Sequence, residues 1–128
     1  MIVDNRPYYY LGGNRALTRL ASGQPFFVQT RDAGITPWII MGGTWENFVD
    51  HIVCGVTRVG DRILDAGANQ GYYTVKLATA VGPTGHVTAF EPNPEIFRIL
   101  KSNVDINALA ARCTLHQLAL GEASGRGS

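Results

Sequence analysis

The period of the apolar positions changes several times along the chain, and each change marks an element. Residues 14–20 and 25–30 are strand-like and are joined by the turn sequence Ser22-Gly23-Gln24-Pro25. Asp32-Ala33-Gly34 and Thr36-Pro37 break that pattern, and Trp38-Ile39-Ile40-Met41 is a brief apolar run closed by Gly42-Gly43. Trp45, Phe48, Val49, Ile52, Val53 and Val56 then recur at the three-and-four spacing of one buried helical stripe, with Thr44 placed as N-cap. Arg58-Val59-Gly60-Asp61 ends that helix.

Arg62-Ile63-Leu64-Asp65-Ala66 is a short, largely apolar run that passes through an acid into Gly67-Ala68-Asn69-Gln70-Gly71. It emerges on a second helical pattern, Tyr73, Leu77, Ala78 and Val81, which Gly82-Pro83-Thr84-Gly85 stops. The order predicts a buried strand, a tight turn and a helix. His86 to Phe90 reads as a second strand ending in Glu91. Asn93-Pro94-Glu95 combines a cap, proline at the first helical position and an acid in the first turn. That helix carries Ile96, Phe97, Leu100 and Val104 and ends near Asn107. Residues 113–118 form a third strand, and 121–128 read as unstructured.

Strand, helix, strand, helix, strand with a glycine turn after the first strand is a right-handed parallel unit. It is half of a doubly wound, Rossmann-like α/β fold, a parallel sheet with flanking helices. The expected division is a β-rich lead-in over 1–43, the Rossmann-like half-domain over 44–121 and a disordered tail over 122–128. Three parallel strands alone leave an open edge and a poorly covered face. The expectation is therefore a truncated chain, or a homo-oligomer in which another copy completes the open sheet edge.

Composition narrows the classes. At 128 residues the chain is one domain at most, and its apolar and charged contents exclude disordered and coiled-coil classes. A net charge of +1 gives no electrostatic reason for nucleic acid. Arg6, Arg15, Arg19 and Arg31 are dispersed and read as a solvated face, so no nucleic-acid partner is expected. Tyr8-Tyr9-Tyr10 reads as packing. No apolar run approaches the roughly 20 residues of a membrane span, and the first seven residues lack a signal-peptide layout. Cys54 and Cys113 read as reduced core residues of a cytoplasmic protein, with no membrane partner. His51, His86 and His116 show no ligand spacing, so no metal is expected.

The chemistry gathers at the glycine turn. Two glycines admit backbone torsions that a side chain forbids, and the following helix aims unpaired N–H groups at the same spot. Glu91 lies about 20 residues beyond Gly71, the spacing at which a carboxylate accepts from two ribose hydroxyls; its other reading is a cap on the following helix. Asn69 stands where a dinucleotide fingerprint has its second glycine, which argues against a pyrophosphate. An adenosine that carries an amino acid, as in S-adenosylmethionine, fits better. A nicotinamide-dependent oxidoreductase half-domain and a non-catalytic binding or assembly module are the alternatives.

Leu64-Asp65-Ala66-Gly67-Ala68-Asn69-Gln70-Gly71-Tyr72-Tyr73-Thr74, Val87-Thr88-Ala89-Phe90-Glu91-Pro92-Asn93-Pro94, residues 103–107 and Leu118-Ala119-Leu120-Gly121 together resemble the FkbM-type methyltransferases, class I enzymes dependent on S-adenosylmethionine. The resemblance implies that Gly67, Ala68, Asn69 and Gly71 line the methionine part, with Asp65 holding its ammonium directly or through water. It implies that Glu91 grips the ribose, that Pro92 and Asn93 flank the adenine, and that Leu118 and Ala119 close over it. Tyr72 or Tyr73 is placed to set a ring near the sulfonium; the other reading has Tyr73 packed under the sheet and Tyr72 partly exposed. Glu46 is placed to reach the cofactor's amino group or, alternatively, only to favour its helix dipole. Asn103 and Asn107 read as helix-end and turn residues. The implied reaction is O-methylation of a hydroxyl on a sugar or other secondary metabolite. Acceptor-binding and base residues are expected mainly beyond the third strand, so no catalytic residue is named and the chain alone is expected to be inactive.

Overall fold

Alternation of buried and exposed residues builds the first layer. The computed structural model describes residues 5–120, so the expected tail at 122–128 and residues 1–4 lie outside it. Strands β1 (Tyr9–Gly12), β2 (Arg15–Arg19) and β3 (Pro25–Gln29) form an antiparallel sheet in that order. Ala16, Thr18, Phe26 and Val28 point to its buried face. Helices α1 (Thr36–Gly42) and α2 (Asn47–Val56) follow. Then come β4 (Arg62–Ala66), α3 (Tyr72–Val81), β5 (His86–Phe90), α4 (Pro94–Ile106), a 3-10 turn and β6 (Cys113–His116). The second sheet is parallel, in the order β4-β5-β6.

The register sets the site. Ala66 pairs with Phe90 and Phe90 with His116, so the turn after β4 and the acid after β5 leave the sheet at one level. Val75, Ala78 and Val81 of α3 join Val87 and Ala89 of β5 and Leu100 and Val104 of α4 in the core. Each of these valines and the leucine contributes about 1.5–3 kcal/mol when fully buried. Arg62, Leu64 and Ala66 alternate onto the other face, where Leu64 is 60% exposed.

A buried amide joins the two sheets. Asn103, in the third turn of α4, accepts from the Phe27 N–H at 2.6 Å and donates to the Phe27 carbonyl at 2.9 Å. Its amide also donates to the Gln70 carbonyl at 2.7 Å. Asn107 caps the same helix and donates to the Pro25 carbonyl at 2.9 Å. Asn103 is thus a clamp inside the helix, where the sequence suggested a helix end.

Several local expectations change. Residues 36–42 are helical because the Asp32 carboxylate accepts from the Ile35 and Thr36 N–H groups, at 2.8 and 2.9 Å. At the other end Arg6 donates to the Ile39 and Ile40 carbonyls, so Arg6 is a structural tie. Arg15 lies over the Phe27 ring and Arg31 pairs with Glu95. Glu46, not Thr44, occupies the N-cap of α2, in a left-handed conformation with no side-chain cap bond. The α2 stripe is mostly open: Phe48 is 79% and Val56 69% exposed, and only Trp45 and Val53 of the six pack on the core. The three tyrosines at 8–10 are exposed. Strand β6 ends at His116, so Leu118 and Ala119 lie beyond it and are exposed.

Candidate cofactor site

Gly67, Asn69 and Gly71 all have positive φ (69°, 55° and 99°), so the turn after β4 is a run of left-handed residues. The glycines are required for different reasons. A Cβ on Gly71 would lie 2.8 Å from Leu100 Cδ1, because α4 passes directly behind it. A Cβ on Gly67 would meet nothing within 4 Å, so the strand end there opens onto space. The Ala68 N–H donates to the Phe90 carbonyl at 2.8 Å and seats the turn on β5.

Gln70, fully buried, is the pin that the sequence did not reveal. Its side-chain Oε1 accepts from the Gln29 N–H and its Nε2 donates to Thr36 Oγ1, each at 3.0 Å. Both partners lie in the lead-in, so β3 and α1 fix the turn's shape. A glutamine between an asparagine and a glycine carries no local signal for burial.

Glu91 is 8% exposed and joins two turns. Oε1 accepts from the Asn69 N–H at 2.8 Å and Oε2 from the Asn93 N–H at 3.0 Å. The helix cap itself is the Asn93 side chain, which accepts from the Glu95 and Ile96 N–H groups. Each Glu91 oxygen keeps acceptor capacity beyond the bond that orients it. A carboxylate held this way presents two level acceptors, the pattern that a ribose diol satisfies.

Asp65 stands at the end of β4, where Thr74 Oγ1 donates to its Oδ2 at 2.6 Å. Burial pushes the Asp65 carboxyl above its ordinary range, and the Thr74 bond works against that. An ammonium beside it would relieve the burial of its charge. Tyr72 is 1% exposed, and its hydroxyl lies 3.2 Å from Asp50 and 3.4 Å from Lys76, so its ring is core. Tyr73, half-buried and edge-on to Tyr72, donates to Glu46 Oε1 at 3.2 Å. Burial and the Glu46 charge raise the Tyr73 pKa, so it remains a donor. Asp65, Gly67, Ala68, Asn69, Gly71, Glu91, Pro92 and Asn93 therefore meet at the ends of β4 and β5, and Leu118 and Ala119 follow β6 at the same end. Glu46 is tied to this end through Tyr73 alone among the described hydrogen bonds.

The donor set suits S-adenosylmethionine: open space at Gly67, a half-buried carboxylate for an ammonium, and paired acceptors for a diol. The model of the methyltransferase FkbM domain matches residues 65–128, half of the chain. The chain belongs to the FkbM methyltransferase family. Residues of this FkbM chain are 36% identical over 58 positions to a tRNA wybutosine-synthesizing protein 2 homolog of Danio rerio, a match covering 45% of this chain and 14% of that protein. The SAM-dependent O-methyltransferase TM0748 of Thermotoga maritima superposes with a TM-score of 0.54 at 24% identity, covering 79% of this chain and 39% of that one. The aTrm5 protein, solved with tRNALeu, gives 0.66 at 17% identity over 98% of this chain and 32% of that one. The fold is that of class I methyltransferases, and S-adenosylmethionine is the cofactor of the family.

The exclusion of nucleic acid made from net charge does not stand. The same fold occurs in aTrm5, which was solved in complex with tRNALeu, and charge averaged over one chain does not report what a protein of this fold binds. The described residues contain no group of three or more side chains able to hold a metal ion. No described helix is long and apolar enough to cross a membrane. Both cysteines are free thiols and partly buried.

Proposed function

We propose that this chain binds S-adenosylmethionine across the ends of β4 and β5 and takes part in methyl transfer to a hydroxyl of a sugar or secondary metabolite. Asp65 receives the ammonium, the 67–71 turn receives the methionine part, and Glu91 accepts from the ribose hydroxyls. Pro92 and Asn93, with Leu118 and Ala119, flank the adenine. When bound there, the cofactor would supply an electrophilic methyl to the acceptor hydroxyl, with its sulfur as the leaving group and a base needed for the hydroxyl proton. The protein's share is to hold donor and acceptor in line. The observation that carries the reading is the Glu91 carboxylate, fixed by one backbone N–H on each oxygen.

Calorimetric titration with S-adenosylhomocysteine and with NAD tests it. Saturable binding of the first alone is expected, weakened at least tenfold in Glu91→Gln, since bonds to a charged acceptor are worth about 1.5–3 kcal/mol. Folded wild-type protein that prefers NAD, or a Glu91→Gln variant that binds S-adenosylhomocysteine unchanged, would overturn it.

A further inference from the structure

Charge is unevenly placed along the chain. Residues 5–30 carry Arg6, Arg15 and Arg19, and all ten Asp and Glu residues lie outside that stretch. The same stretch builds the antiparallel sheet, whose buried face is Ala16, Thr18, Phe26 and Val28. Alternation puts Leu17 and Phe27 on the opposite face, where both stay partly open. The register sets Tyr9 beside Leu17 and Leu17 beside Phe27, one row across three strands. Tyr9 is 61% exposed, and Arg15 and Arg19 flank the row on β2.

Arg15 joins that row to a cavity. Its guanidinium carbon lies 4.8 Å from the centre of the Phe27 ring, and its Nε is buried without a hydrogen-bond partner. The same arginine lines a cavity of about 260 Å³ with Gly13, Glu95, Arg98 and Ile99, between the β1–β2 turn and the first turns of α4. Among the described residues neither Arg15 nor Arg98 has a side-chain hydrogen bond or an ion pair. Glu95, the one carboxylate of the lining, is already bonded by Gln29 Nε2 at 2.7 Å and paired with Arg31 at 3.4 Å. Two guanidinium groups are thus left for an anion.

We infer that the outer face of the lead-in sheet binds single-stranded RNA, with bases on the Tyr9–Leu17–Phe27 row and a backbone phosphate between Arg15 and Arg98. Aromatic side chains on a small sheet take unstacked bases, and arginines beside them take the backbone. A duplex keeps its base faces stacked and cannot use the row. RNA is the nucleic acid that presents unpaired bases in loops, bulges and ends. An acidic peptide would meet the arginines and leave the exposed ring unused. Arg19, whose Nη1 donates to the Gly23 carbonyl, keeps its charge at the other end of the row. None of these residues belongs to the cofactor site, so the inference does not rest on the methyl-transfer reading.

Fluorescence anisotropy of the full chain with labelled oligouridylate of about twelve nucleotides tests it. The comparison probes are oligothymidylate and an RNA duplex of the same length, and a polyglutamate peptide. Saturable binding of oligouridylate is expected, tighter than that of the duplex and the peptide. Tyr9→Ala should weaken it at least fivefold, about the loss of one base stack. Arg98→Ala should weaken it as well and lower the slope of log Kd against log salt by about 0.7, one phosphate contact on a single strand. Both side chains are exposed, and circular dichroism should show the parent's fold in each variant. The inference is overturned if the folded parent binds no oligouridylate, binds the duplex or the peptide as tightly, or answers oligothymidylate alone. It is also overturned if either variant binds oligouridylate as the parent does. The cofactor takes no part in these titrations, so their outcome is read separately from that of S-adenosylhomocysteine binding.

Discussion

The two outer glycines of the turn look alike in sequence and do different work. At Gly71 the positive φ and the Leu100 contact act together, so Gly71→Ala should cost about 2–3 kcal/mol of folding stability, measured by denaturant unfolding. At Gly67 only the left-handed backbone opposes a side chain, so Gly67→Ala should cost about 1 kcal/mol. Its larger effect should fall on S-adenosylhomocysteine affinity, because the added methyl enters the open space at the strand end. Equal losses of stability in the two variants would remove the distinction. Glu91 was singled out by its spacing from the glycine turn and Asp65 by the family resemblance, and the fold brings both to the strand ends that carry the turn. Gln70 was not legible, since its partners Gln29 and Thr36 are remote in sequence.

Among the elements, α4 and β3 are held together by a side chain that imitates a strand. Asn103→Ala would leave the Phe27 N–H, the Phe27 carbonyl and the Gln70 carbonyl without that partner. At about 1–3 kcal/mol for each unsatisfied buried group, a loss of roughly 3 kcal/mol is expected on denaturant unfolding. A variant as stable as the parent would mean that the lead-in sheet is not anchored through this amide. The α2 helix makes the opposite point. Its three-and-four apolar spacing correctly predicted a helix, but periodicity does not say what covers the stripe, and here most of it meets solvent. The short helix α1 went unread because its start depends on a carboxylate outside it, and its last carbonyls on Arg6, more than 30 residues away.

For the whole molecule, alkaline pH is the informative variable. Burial pushes the Cys113 thiol up from 9.0 to about 11, and burial with Asp50 raises Cys54. Tyr72 and Tyr73 are raised chiefly by burial. Burial opposes the Lys76 charge, but Asp50 and Tyr72 more than offset it, and its pKa is raised too. Each group therefore keeps its proton to higher pH in the folded state than in the unfolded state. The folded state binds more protons, so stability falls as pH rises, beginning near the ordinary thiol value of 9.0. Urea midpoints measured across that range should decline steadily, and Cys113→Ala should flatten the first part of the decline. A flat profile from pH 9.0 to about 11 would show that these groups titrate alike in both states.

The residues alone determined the order of strands and helices from α2 onward, the glycine turn, the acid after β5, the Asn93 cap and the family. Each is a local signal, carried by spacing and residue type within a few turns of chain. Tertiary structure decided that Glu91 joins two turns, and that Tyr72 is core while Tyr73 faces Glu46. It also decided that Arg15 and Arg98 line one cavity. The roles of Glu91, Tyr72 and Tyr73 depend on register and on contacts with Asn69, Asp50 and Glu46, 22 to 27 positions away. No pattern within one element encodes them, because a buried polar group is satisfied by whichever partner the packed fold brings within hydrogen-bond reach.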